Sequence, residues 1–88
     1  MSHADDPQIM MRLKRAAGHL DSVIGMVRDG RDCLAIVQQL QAVIRALEAS
    51  KRELIHHHID VHLADAVEPA SAGARDLRGE IRTLAKYL

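Results

Sequence analysis

The sequence predicts an all-α protein, a three-helix protomer with a long central helix. Three observations carry that expectation. Apolar residues recur at steps of three and four from Ile9 to Val27 and again from Cys33 to about Val67. The second of these stretches contains no Gly or Pro. Turn-forming residues gather between the periodic segments, as Asp29-Gly30-Arg31-Asp32 and as Glu68-Pro69-Ala70-Ser71-Ala72-Gly73.

The first helix is expected over about 7–29. Its apolar positions are Leu13, Ala16, Ala17, Leu20, Ile24 and Val27, the pattern of an amphipathic helix. Asp5, Asp6 and Pro7 supply the acid and the proline that a helix start favours. Gly30 suits the C′ position that ends this helix, and Asp32 suits the N-cap of the next. The second helix is expected over about 33–67, with a stripe of Leu34, Val37, Leu40, Ile44, Leu47, Lys51, Leu54, His58 and Val61. That spacing is close to a heptad, and a helix of this length predicts a pairing surface. Pro69 ends it, and Gly73 loosens the link that follows. A third helix over about 74–88 carries Leu77, Ile81, Leu84 and Leu88 on one face. Arg75, Arg78, Arg82 and Lys86 share the rest with Asp76 and Glu80.

Composition narrows the function. With 88 residues the chain is expected to be one domain, 1–88. Aromatic residues are 1%, with one Tyr and no Phe or Trp, so the core is lean and an oligomer is expected. The formal net charge of zero argues against a strongly basic, nonspecific nucleic-acid binder, but not against clustered basic residues. One Cys excludes an intramolecular disulfide and fits a reducing compartment. No stretch reaches transmembrane length and the first residues lack an apolar signal region, so a cytoplasmic location away from membranes is expected. There is no nucleophile–base pair, phosphate loop or acid–base dyad. Neither an enzyme nor a small organic substrate is expected.

The six His lead to a candidate site. His58 and His62 stand four apart on a helix, so both imidazoles project from one face. Ile59, Asp60 and Val61 lie between them, so the Glu of a metalloprotease motif is missing. Cys33 precedes His58 by 25 residues, which returns to nearly the same face but spans roughly 37 Å of helix. One ion cannot bridge that distance. If Cys33 and His58 are co-ligands, they come from different chains, and an antiparallel dimer would hold two equivalent sites. A thiolate with two imidazoles suits zinc, copper, nickel or cobalt and not magnesium or calcium. A fourth ligand could be His3, a water or a backbone group. His56 and Asp60 could support the site. Against this, a lone Cys after a helix cap is more often a small buried hydrophobe, and a His run can be a plain polar helix end. His19 reads as a polar or interfacial residue.

Arg12, Lys14 and Arg15 cluster in the first helix, and Arg45, Lys51 and Arg52 midway along the second. Such charges are more often a solvated surface. No helix-turn-helix, zinc-finger or basic-zipper pattern is present, so DNA binding would rest on phosphate contacts and DNA shape.

The stretch Arg12-Leu13-Lys14-Arg15-Ala16-Ala17-Gly18-His19-Leu20, the turn ending in Asp32-Cys33, the segment Gln38-Gln39-Leu40-Gln41-Ala42-Val43 and His58-Ile59-Asp60-Val61-His62 together resemble the CsoR/RcnR family. These are bacterial metal- or metabolite-responsive repressors, and the likeness covers about residues 9–66. It implies a helical dimer that pairs into a tetramer, a dimer of dimers. It implies that the apo form binds an operator and the ligand-bound form releases it. By the same resemblance the metal ligands fall on Cys33, His58 and His62. His3 corresponds to an N-terminal ligand of the nickel/cobalt branch, on an arm shorter by two residues. Operator contacts fall on Arg12, Lys14, Arg15, Arg45 and Arg52. Copper(I) members usually carry Cys where this chain has His62, so nickel or cobalt is expected first, copper(I) next. The family's usual Gln is His19 here. Two alternatives stay open. A formaldehyde-type sensor would use Cys33 with an N-terminal Pro, but residue 2 is Ser. A helical metal-binding scaffold would bind no DNA.

Overall fold

The computed structural model describes residues 6–63 and 72–88. It is all-α, in the order α1 (Pro7–Arg28), α2 (Cys33–Leu63) and α3 (Ala72–Leu84), with a closing 3₁₀ turn at Ala85–Tyr87. Among the described residues there is no strand. The chain divides into two compact units, Met1–Ser50 and Lys51–Leu88, and α2 contributes to both.

Local chemistry sets the ends of the helices in the first unit. The Asp6 carboxylate accepts from the backbone N–H groups of Gln8 at 2.8 Å and Ile9 at 3.3 Å, and Pro7 occupies N1, whose N–H would otherwise be unsatisfied. At the other end Arg31 N donates to Met26 O at 3.0 Å and Gly30 N to Val27 O at 3.2 Å, a Schellman closure. Gly30 sits at φ 67°, a left-handed conformation that a side chain disfavours. Asp32 then caps α2: its Oδ2 accepts from Ala35 N at 3.2 Å and its carbonyl from Ile36 N at 3.0 Å.

These caps make α1 and the first part of α2 an antiparallel hairpin. Its buried line on α1 is Ile9, Ala16 and Val23, seven residues apart, and on α2 it is Val43 and Ser50, also seven apart. The side-chain amide of Gln39 accepts from His19 Nε2 at 2.7 Å across the seam. Of the α1 stripe expected from periodicity, only Ala16 is buried; Leu13, Leu20, Ile24 and Val27 are exposed. Leu34, Val37, Leu40, Ile44 and Leu47 of α2 are exposed as well. The physical reason is geometric. Two helices meeting along a narrow seam cover one line of side chains each, and small residues such as Ala16 and Ser50 let them close. The larger apolar residues flank that seam, a surplus of the kind that marks an interaction surface.

The second unit buries Ile55 of α2 and Leu77 of α3. Two expectations for α3 are corrected here. Gly73 does not loosen a link but lies in the first turn of α3, and the regular helix stops at Leu84 instead of running to the end. The chain's last residues tighten into a 3₁₀ turn, the usual way a terminal helical turn satisfies its carbonyls. The break expected at Glu68–Ser71 and the end of the second helix at about Val67 lie outside the described residues. No described helix is long and apolar enough to cross a membrane.

Candidate metal centre and nucleic-acid interface

Cys33 is the first residue of α2, directly after the capping Asp32. Its thiol is free and exposed, so the buried-hydrophobe reading does not describe it. The cap places it: Asp32 fixes where the helix begins, and the thiol therefore emerges at the helix mouth.

His58 lies near the other end of α2 and is half-buried. Its Nε2 is bonded to Glu80 Oε2 of α3. A carboxylate on one nitrogen of an imidazole is the usual support for a metal-ligating ring, because it fixes the ring's orientation and tautomer. Arg75, Asp76, Gly79, Thr83 and Leu84 of α3 line a cleft of about 620 Å³ together with His58 and Glu80. The sequence offered His56 and Asp60 as possible supports; the carboxylate bonded to His58 in the structure is that of Glu80, 22 residues away. No spacing rule points to that pairing.

His62 is one turn beyond His58 in α2, as the spacing requires, and its side chain lies outside the described residues. His3 lies outside them altogether. His56 is exposed and His57 half-buried. Among the described residues no three His, Cys, Asp or Glu side chains gather into a metal-holding group within the single chain. The donor set itself fits a borderline or soft transition metal: one accessible thiol and imidazoles at helical spacing.

The basic residues of α1 lie on the first unit. Arg12, Lys14 and Arg15 are all exposed. Arg12 and Arg15, three apart, share a face and line two clefts. One, of about 280 Å³, also involves Ala16, His19, Ala46, Ala49 and Ser50; the other, of about 490 Å³, involves Gln8 and Met11. Arg45 is exposed in the same unit, and Arg52 is exposed in the second.

Comparison with known proteins agrees with this chemistry. The family model described as metal-sensitive transcriptional repressor matches residues 5–87. The copper-sensing transcriptional repressor CsoR of Mycobacterium ulcerans is 39% identical over 56 residues, which is 64% of this chain and 48% of that protein. The copper-sensing transcriptional repressor CsoR of Bacillus subtilis is 33% identical over 67 residues, 76% of this chain and 66% of its own length. An uncharacterized protein in the bioA 5′ region of Serratia marcescens is 24% identical over 87 residues, 99% of this chain and 96% of that one. The chain spans about half the length of the mycobacterial relatives it matches. No solved structure matches it. The matched family is one of transcriptional repressors and not of enzymes, and the chain belongs to these metal-sensitive transcriptional repressors, the CsoR/RcnR family.

Proposed function

We propose that this chain binds operator DNA in its metal-free form and releases it when a transition metal binds between two protomers, at Cys33 of one and His58 and His62 of the other. The observation that carries this reading is the support of His58 by Glu80, in a chain that also presents a free thiol at the mouth of α2. Twenty-five residues of helix separate Cys33 from His58. Their joint use therefore requires a second chain. The exposed stripe of Leu34, Val37, Leu40, Ile44 and Leu47 supports such pairing. His3 is the fourth ligand in this scheme, and two dimers make the tetramer.

No element reads as a groove-entering recognition helix. Arg12, Lys14, Arg15, Arg45 and Arg52 would therefore bind phosphates, with discrimination coming from DNA shape. Metal binding and DNA binding then oppose each other, and each weakens the other by the same factor. A repressor of this kind works in the cytoplasm. The nitrogen-rich donor set favours nickel or cobalt. The second reading is copper(I), favoured by the names of the mycobacterial and Bacillus relatives.

The test is an anaerobic titration of reduced protein with cobalt(II), nickel(II) and copper(I), read by ultraviolet–visible absorbance beside Cys33→Ala. A thiolate-to-metal charge-transfer band at one metal per chain, lost in the variant, is expected with cobalt(II) or nickel(II). A response to copper(I) alone moves the assignment to copper. Failure of all three ions to bind ends the metal reading and leaves a thiol-reactive effector at Cys33.

A further inference from the structure

We infer that His19 is a third phosphate contact of the operator face, beside Arg12 and Arg15, and that it engages DNA only when its ring is protonated. The inference rests on the operator-binding reading above and gives that face a dependence on pH.

Arg12, Arg15 and His19 follow one another on α1 at steps of three and four, so they stand on one side of the helix. All three line the same cleft of about 280 Å³ in the first unit. The α2 wall of that cleft is Ala46, Ala49 and Ser50, and it carries no charge. The Ser50 hydroxyl donates to the Ala46 carbonyl at 2.9 Å, within its own helix. Among the described residues no acidic side chain lines the cleft, and Arg12 and Arg15 form no ion pair. A concave site walled by two guanidinium groups, an imidazole and small residues is complementary to an anion, and phosphate oxygens are the anion a duplex presents.

The Gln39 contact determines how His19 takes part. An amide oxygen only accepts, so the bond from His19 Nε2 at 2.7 Å places the ring's proton on Nε2. In the neutral ring Nδ1 is then an acceptor, and a phosphate oxygen offers it no hydrogen. Protonation turns Nδ1 into a charged donor. The charged groups that share the cleft with His19 are Arg12 and Arg15, both on α1. No charged residue lies within four positions of Gln39 on α2. Among the described residues no carboxylate shares the cleft with the ring, and an arriving phosphate supplies the counter-charge.

The experiment measures binding of a fluorescent 30-base-pair duplex from the promoter before the chain's own gene, and of a scrambled duplex, at pH 6 and pH 8. Wild type and His19→Gln are compared over a range of salt. The wild type is expected to bind about fivefold more weakly at pH 8, on both duplexes. His19→Gln is expected to lose that pH dependence and to show a salt slope shallower by about one unit per contacting protomer. Ring resonances of His19 in the folded wild type should also move when duplex is added at pH 6, which reads the contact without a substitution. An unchanged pH dependence in a His19→Gln protein that still binds overturns the inference while leaving the operator reading intact. So does a ring that responds to millimolar inorganic phosphate but not to duplex. Absence of duplex binding by wild type at both pH values overturns the operator reading, and this inference with it.

Discussion

The two units use similar chemistry in opposite ways. In each, a histidine on a helix is tied to a residue about twenty positions away. In the first unit the partner of His19 is the neutral amide of Gln39, and the neighbours in its cleft are arginines. In the second the partner of His58 is the carboxylate of Glu80. A carboxylate favours a ring that faces a cation. An amide among arginines favours one that faces an anion. On the readings proposed above, one residue type would thus serve two ligands of opposite charge through its different surroundings, and α2 supplies one member of each pair, Gln39 and His58.

That comparison can be broken most severely at the second unit. Removing the carboxylate charge with Glu80→Gln should lower metal affinity by about 10- to 100-fold. The thiolate charge-transfer band should survive at saturating metal, because Cys33 is untouched. Chelator competition measures the change, and an affinity equal to wild type would show that Glu80 gives the ligand ring no support. The first unit responds differently. Arg15→Ala should weaken duplex binding almost equally for promoter and scrambled sequence and reduce the salt slope by about one unit for each protomer in contact. It should leave the affinity of free protein for metal unchanged. Binding isotherms at several salt concentrations check this, and a sequence-selective loss would mean that Arg15 reads bases. The smallest effect belongs to Asp6→Ala, which removes the α1 cap and should cost about 1 kcal/mol of stability in urea unfolding. Metal and DNA affinities of the folded protein should not move.

What could be read from the sequence follows a physical division. Caps and turns depend on a few adjacent residues, so Asp6-Pro7, Gly30 and Asp32 marked the start and end of α1 and the start of α2 closely. Helical spacing also singled out Cys33, His58 and His62 as candidate ligands, the assignment that the metal titration tests. Periodicity located the apolar arcs but not which line of each arc is buried within one chain. Leu13, Ala16 and Leu20 all belong to the expected stripe, yet only Ala16 joins Ile9 and Val23 in the seam. An arc wide enough for two contacts looks the same in sequence whether the second contact is intramolecular or not. Glu80 and Gln39 were not legible as partners, because their pairings depend on the register between helices. Nothing nearby in the chain encodes that register.

The apolar residues left partly uncovered along the hairpin carry a further consequence. Leu20, Ile24, Leu40 and Ile44 each keep a large share of their surface open in a solitary chain. If another copy covers them, the free energy of folding includes a term in protein concentration. Dilution would then unfold this chain as surely as heat, and a cell making too little of it would hold fewer working repressors than its transcript level implies.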